Sequence, residues 1–360
     1  MRDLCEIRKD INEIDEEMKK LFVKRMKAVK EVADYKTAHG LPILDSDRER
    51  TVIESNASKL DSDELRPFFV NFLEGNMAIS RSYQDMLING MRVAYSGTTG
   101  AFAYIACSKL FKNARKLAYP NFESAYNACV SGECDCAVLP IENSYNGEVG
   151  AVTDLMLSGE LKVNGVVDID VNHCLIGLPG AKVADIKRVI SHPQALAQCK
   201  GYLDRLGLCG EEFENTALAA EEVKRLGDMS VAAIASEEAA KIFGLEVIEK
   251  NINEQRSNTT RFAVFSRSEH KYDENLPGLY SIMLFTVKNE AGALAKALDI
   301  IGKHNFNMRT LRSRPVKDAM WQYYFYIEAE GNINSKEGKR MLEDLGEYCD
   351  KVKFIGSYKK

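Results

Sequence analysis

The chain has no large excess of either charge and no long apolar run, and its cysteines form no compact cluster. Its 360 residues carry 48 lysines and arginines against 53 aspartates and glutamates, a net charge of −5. That balance implies no general surface for a polyanion, so a cationic site has to be local and nucleic acid is not an expected partner. No apolar run approaches the ~20 residues needed to cross a bilayer, which argues against a membrane partner. Met1-Arg-Asp-Leu-Cys-Glu6 lacks the apolar core of a secretory signal, and the expected location is the cytoplasm. The nine cysteines are scattered, and the nearest two, Cys134 and Cys136, are separated by one residue, whereas zinc sites usually have about two to four. They read as reduced thiols, and neither a metal nor a cofactor is expected.

Strand signals are missing from residues 1–90, where apolar positions recur helically at Leu4, Ile7, Ile11, Ile14, Met18, Leu21, Ala28 and Val32. Gly40-Leu-Pro42 ends this first helix. At about 33 residues it would span ~50 Å, too long for the two shorter helices after it to cover, so a second copy of the chain is expected against the remainder. Ser46-Asp-Arg-Glu49 has capping-box spacing and opens the second helix; Asp63-Glu64 and the run to Leu87 make the third. From Arg92 strands alternate with helices: Val93–Tyr95, Leu117–Tyr119, Cys136–Leu139, Val189–Ser191, Val231–Ile234 and Phe262–Phe265. That order predicts a parallel α/β sheet, with Val163–Leu178 crossing between two lobes around a cleft. A polar linker, Ser266–Pro277, precedes a strand (Tyr280–Val287), a helix (Gly292–His304), two strands (Met308–Pro315, Trp321–Glu328), a helix (Ser335–Gly346) and a strand (Val352–Tyr358), a ferredoxin-like βαββαβ order.

Cations sit in the apolar register of the first helix. Arg25 lies four residues from Leu21 and Val29, and Lys36 four from Val32; in the third helix Ser80 and Gln84 fall on the stripe of Leu65, Phe69, Phe72 and Leu87. A long basic side chain can snorkel out of such a face, but together these positions suggest a polar pocket in a bundle suited to a small polyanion. Residues 3–88 resemble the all-helical chorismate mutases. By that resemblance Arg8, Arg25, Lys36, Arg48 and Gln84 bind chorismate, with Asp45, Glu49 and Ser80 completing the pocket and Arg8 entering the partner chain's site. The reaction, a rearrangement to prephenate, needs no nucleophile: arginines clamp two carboxylates while Lys36 and Gln84 hydrogen-bond the ether oxygen as charge grows on it. Arg48 and Glu49 also read as a surface ion-pair residue and a capping-box acid.

The apolar run Ala137-Val138-Leu139 delivers Glu142, Asn143 and Ser144 at its carboxyl end, where open α/β sheets bind ligands. With Asn146-Gly147 following, the same residues make good turn chemistry, so spacing alone leaves both readings open. Ser191-His-Pro-Gln-Ala-Leu-Ala-Gln198, Asn258-Thr-Thr-Arg-Phe262 and Gly97-Thr-Thr-Gly-Ala-Phe102 stand at other strand ends. Taken along the chain from Gly97 to Phe262, all four stretches, in the correct order across residues 92–267, resemble prephenate dehydratase signatures. The resemblance implies loss of carbon dioxide and hydroxide from prephenate to give phenylpyruvate. It makes Thr260 the hydrogen-bond donor to the leaving oxygen, places Arg261 near a substrate carboxylate, and leaves Glu142, Asn143, Ser144, Ser191, Gln198 and Thr259 to bind or orient the substrate. Ala103 and Tyr104 stand where the family usually has serine and a polar residue, so a hydroxyl contact is missing there.

Residues 278–357 resemble an ACT domain, a ligand-sensing module. This implies phenylalanine as effector, bound at Gly292, Ala293, Leu294 and Ser313 where two copies meet; Arg312 stands where the family carries an acid, and a purely assembling module is the alternative. The expected multidomain architecture is therefore an all-α helical chorismate mutase over 1–90, a two-lobed, periplasmic-binding-protein-like α/β prephenate dehydratase over 91–267, and an α+β ferredoxin-like ACT domain over 278–360. The expected function is a bifunctional enzyme of phenylalanine biosynthesis, a homo-oligomer of at least two chains. The rival reading is an aromatic amino-acid-responsive binding protein that retains one activity or neither.

Overall fold

The computed structural model describes residues 2–254, 258–316 and 322–359. Residues 1–91 with 113–115 form one compact unit, and 92–112 with 116–360 form another. The first unit contains α1 (Leu4–His39), α2 (Ser46–Ala57) and α3 (Arg66–Asn89), with α1 and α2 both packed on α3. α1 stops at Gly40, whose φ of 63° suits a residue without a Cβ and lets its N–H meet the last carbonyls. α2 is capped by Asp45 rather than by Ser46: the Asp45 carboxylate accepts from Arg48 N at 3.0 Å, a favourable placement for negative charge at a helix start. Asp63 and Glu64 lie in the turn ahead of α3, because Pro67 occupies the first helical turn, where its missing N–H costs nothing. Only Val29 and Ala33 of α1 are buried, and Leu4, Ile7, Ile11, Ile14, Met18 and Leu21 are exposed.

The second unit begins with β1 (Arg92–Ser96), α4 (Phe102–Leu110), β2 (Arg115–Tyr119), α5 (Phe122–Ser131), β3 (Cys136–Asn143), β4 (Gly147–Glu148), α6 (Gly150–Ser158) and β5 (Lys162–Asp170). After a crossing at 171–173, a second lobe holds β6 (Cys174–Gly177), β7 (Arg188–Ser191), α7 (Pro193–Gln198), α8 (Lys200–Leu206), β8 (Gly210–Glu212), α9 (Thr216–Leu226), β9 (Val231–Ala235), α10 (Glu237–Phe243) and β10 (Glu246–Glu249). The chain then returns as β11 (Thr259–Ser266). The first sheet runs β2-β1-β3-β11-β5 with β4 beside β3; the second runs β10-β6-β9-β7-β8. The sheets are mixed, not parallel: β1/β3, β7/β8 and β7/β9 are parallel, but β11 is antiparallel to β3 and β5, and β6 to β9 and β10. β11 re-enters the first sheet from the second lobe, so it starts at the end where β3 finishes. β9 (VAAIA) is buried throughout because apolar clusters cover both faces of its sheet.

The C-terminal module contains β12 (Leu279–Thr286), α11 (Ala293–Lys303), β13 (Asn307–Pro315), β14 (Tyr323–Glu330), α12 (Lys336–Tyr348) and β15 (Lys351–Lys359), in an antiparallel sheet ordered β13-β14-β12-β15. The strand start expected at Trp321 lies outside the described residues. Period-two alternation gives this sheet two buried faces. Met283, Phe285 and Ile327 pack with Ile301 and Leu345 of the helices, while Ile282, Leu284, Tyr324 and Tyr326 join Tyr126, Leu139 and Phe265 in the core of the first lobe. The polar linker is held at both ends: Arg267 donates to Cys134 O at 2.9 Å, and Asn332 Nδ2 donates to Asp273 O and Glu274 O at 2.8 and 3.0 Å.

Candidate active sites

In the helical unit the expected residues divide into groups. Arg25 donates to the Ser80 hydroxyl and to Asn76 O at 3.3 Å; Ser80 Oγ donates to Asn76 O at 2.8 Å, and Gln84 Nε2 to Ser80 O at 3.4 Å. Ser80 and Gln84 are buried, and Gln84 Oε1 has no partner among the described residues. Beside Arg25 is a cavity of about 480 Å³ lined by Met18, Leu21, Phe22, Phe72 and Ile79 among others. Lys36 Nζ donates to Ile43 O at 2.6 Å, Asp45 is occupied as the α2 cap, and Glu49 pairs with Arg81, a residue no motif marks in the sequence. Arg48 is exposed, as is Arg8, which precedes Arg25 by seventeen residues on one helix, ~25 Å along its axis.

The lobes enclose a cleft of about 310 Å³ whose lining includes Phe102, Asn143, His173, Gln198, Asn258 and Thr260. Antiparallel pairing sets Thr260 opposite Asn143. Backbone N–H groups of Tyr145 and Asn146 donate to Asn143 Oδ1 at 3.0 and 2.9 Å. A backbone N–H can only donate, so the other end of this amide is its nitrogen. That nitrogen donates to Asn258 Oδ1 at 2.8 Å and to Thr260 Oγ1 at 2.9 Å. The Thr260 oxygen accepts, and its own O–H is left to donate. Asn258 Nδ2 in turn donates to Gln198 Oε1 at 3.1 Å, while Gln198 Nε2 is buried without a partner among the described residues. His173 was not singled out in the sequence; its ring contacts Gln198 Oε1 at 2.9 Å, and burial pushes its pKa below the ordinary histidine value.

Four helices begin at this cleft. Phe102 opens α4, Val149 precedes α6, His192 caps α7 and Asn215 caps α9, and all four residues line it. No lysine or arginine lines it among the described residues. Ala103 is buried within α4.

Alternation along β11 carries the other expected residues away from the cleft. Thr259 and Arg261, with Glu142 and Ser144, line a separate pocket that also contains Glu328. Arg261 Nε donates to Asp168 at 3.0 Å, and its guanidinium lies 3.6 Å from both Glu142 and Glu328. Burial opposes its charge, but Asp168 and Glu328 more than offset this and raise its pKa. Glu142 also pairs with Arg312. Ser144 Oγ accepts from Thr259 N at 2.9 Å, and the Thr259 hydroxyl donates to Asp170 at 3.0 Å. Ser191, expected to face the substrate, is fully buried and donates to Ile234 O at 2.6 Å. In the C-terminal module Gly292, φ 82°, caps α11, Ala293 is buried and Leu294 is half-buried against the core; Ser313 lines a pocket of about 580 Å³ with Thr286, Asn289 and Tyr323. Among the described residues no cluster of three or more histidines, cysteines or acids is placed to hold a metal, and no helix is long and apolar enough to cross a membrane.

Two family models match the chain: chorismate mutase type II over residues 7–85 and prephenate dehydratase over residues 93–270. The bifunctional chorismate mutase/prephenate dehydratase of Escherichia coli is 30% identical over an alignment of 370 residues that covers 99% of this chain and 96% of that one. Among solved structures, GqqA, described as a novel type of quorum quenching acylase, is 32% identical with a TM-score of 0.69, covering 74% of this chain and 97% of its own. The prephenate dehydratase of Arthrobacter aurescens in complex with L-Phe is 26% identical with a TM-score of 0.68, covering 75% and 90%.

Proposed function

The chain belongs to the bifunctional chorismate mutase/prephenate dehydratase family, and from that premise we propose how its residues divide the work. The enzyme rearranges chorismate to prephenate and converts prephenate to phenylpyruvate, two steps of phenylalanine biosynthesis. The mutase spans 1–90, the dehydratase 91–267 and an effector module 278–360, and the enzyme acts in the cytoplasm.

In the mutase, Arg25, steadied by Ser80 and Asn76, grips a carboxylate. Lys36 and Gln84 donate to the breaking ether oxygen; the unpartnered Gln84 carbonyl and its long bond to Ser80 leave this amide to be ordered by substrate. Arg48, Glu49 and Asp45 frame the pocket. Arg8 is too far along α1 to serve the site of its own chain and serves that of a second copy, which covers the exposed stripe from Leu4 to Leu21.

In the dehydratase the C–C bond to the ring carboxylate breaks, its electron pair enters the ring, and the ring C–O bond breaks as hydroxide leaves. Thr260 donates its O–H to the departing oxygen. Asn143, donating into Thr260 Oγ1, stabilises negative charge on that oxygen and strengthens it as a donor. Gln198 Nε2 binds a carboxylate or the ketone. Four helix starts supply the positive potential for a dianion; Arg261, expected near a substrate carboxylate, instead joins Glu142, Ser144 and Thr259 in holding the β3–β11 pair from behind, and Ser191 holds β7 to β9. The observation that carries this reading is the one-directional hydrogen-bond chain ending on Thr260. The C-terminal module, with its ferredoxin-like order, acts as an ACT domain in which phenylalanine binds near Ser313 and the Gly292–Leu294 turn and inhibits the dehydratase. The L-Phe complex of the Arthrobacter relative supports this.

The purified protein should consume chorismate and yield phenylpyruvate. Lys36→Ala should abolish only the first step and Thr260→Ala only the second. Loss of both steps from either substitution would point to unfolding or a shared site, and untouched prephenate would overturn the assignment of the cleft.

A further inference from the structure

The fixed orientation of Asn143 propagates further than Thr260. Asn258 Oδ1 accepts from Asn143, so Asn258 presents nitrogen to Gln198, and the atom of Gln198 that receives it is oxygen. The same oxygen lies 2.9 Å from His173 Nε2. Two acceptors cannot face each other at that distance, so Nε2 carries a proton. His173 Nδ1 is buried with no partner among the described residues, and a proton there would have nowhere to bond. Two backbone N–H groups in the turn after β3 thus dictate the tautomer of a histidine three side chains away.

We propose that His173 is a positioning residue of the dehydratase: as the neutral Nε2–H tautomer it locks the Gln198 amide so that both hydrogens of Nε2 remain for the substrate. With Asn258 and His173 both donating to it, Gln198 Oε1 has both lone pairs filled. Turning the amide over would set its NH₂ against two N–H donors and lose both bonds; without His173 a single bond resists the turn. The ring is well held for this task. His173 N donates to Asn253 Oδ1 at 3.2 Å and its carbonyl accepts from Ile252 N at 3.0 Å, so the two crossings between the lobes are joined at this residue. Phe102, which opens α4, meets the imidazole edge-on with centroids 6.0 Å apart. Burial disfavours the imidazolium, which keeps the ring in the state the chain demands.

The inference rests on the cleft being the prephenate site, and the test separates the two. In the full-length protein, His173→Phe keeps a ring and removes the donor, while His173→Gln restores an N–H at similar reach. His173→Phe should lower dehydratase kcat/KM by roughly tenfold to a hundredfold, with mutase turnover unchanged as the internal control for folding, and His173→Gln should recover much of the loss. In a Gln198→Ala background His173→Phe should have no further effect. Additive losses, or full activity in His173→Phe, overturn the positioning role while leaving the cleft assignment intact; a Gln198→Ala enzyme with wild-type kinetics would instead overturn the cleft assignment. ¹⁵N spectra of the imidazole should show a protonated Nε2 and a bare Nδ1, and the opposite tautomer or a fully protonated ring also overturns the proposal.

Discussion

Thr260 and Arg261 are chain neighbours with separate work, and the difference lies in the direction a side chain takes from a strand. Thr260 meets Asn143 and the cleft, whereas Arg261 meets Asp168, Glu142 and Glu328 on the opposite face. A hydroxyl that accepts from Asn143 has one hydrogen to give, and replacing it by a methyl removes that hydrogen without changing shape. Thr260→Val should therefore cost roughly 10²–10⁴ in dehydratase kcat, measured as phenylpyruvate released from saturating prephenate. Thr260→Ser should keep most of the rate. Asn143→Asp is the sharper test, because a carboxylate still accepts from Tyr145 and Asn146 but has no hydrogen for Thr260 or Asn258. It should lose activity comparably while the turn persists, and a near wild-type rate would show that the donated hydrogen bond is dispensable.

Among the elements, α1 is the one least satisfied by its own unit. Ile7, Ile11 and Ile14 repeat at helical spacing and are exposed at 38%, 51% and 56%, too much apolar surface along one face for a lone helix to leave in water. If a second copy covers this face, as proposed, replacing Ile11 and Ile14 by glutamine should dissociate the enzyme in sedimentation or light scattering and depress mutase activity by withdrawing Arg8; an unchanged mass with full activity would remove the second copy from the account. This helix was legible because its apolar positions recur at helical spacing from Leu4 to Leu21 and resume at Ala28 and Val32 after Arg25. The cleft was legible in part. Asn143 is visible as a polar residue after an apolar run, but strand length was not: β3 continues to Asn143 and β11 begins at Thr259, so residues expected in loops became paired positions with alternating faces, and Glu142 went to the face away from the cleft. The antiparallel insertion of β11 was invisible too, because it depends on the chain returning from the second lobe. His173 left no periodic signal; a lone histidine before Cys174-Leu-Ile-Gly177 looks like any strand start, and its role exists only through partners 25 and 80 residues away at Gln198 and Asn253.

For the whole molecule, the C-terminal module is part of the dehydratase's architecture. Its sheet lends one face to the core of the first lobe, and Arg314 and Tyr324 both reach Asp154, at 3.3 and 2.8 Å. The nearest link to the chemistry is Arg312, which sits where an acid was expected and pairs with Glu142, the partner of Arg261 across β3 and β11. Arg312→Glu would bring a second carboxylate to Glu142, and the dehydratase unit should lose roughly 1–3 kcal/mol of stability, seen as a lower unfolding midpoint and a weakened response to phenylalanine with mutase turnover unaffected. An unchanged midpoint would show that the pair carries no coupling. The two-faced β11 also constrains how such a protein can change over time. A one-residue slip of β11 against β3 would exchange the Thr260 hydroxyl and the Arg261 guanidinium between faces, ending in one event the bond to Asn143 and the ion pair with Glu328. The descendants of this sequence can therefore retune either contact by point substitution, but cannot shift this strand's register by a single residue and keep both.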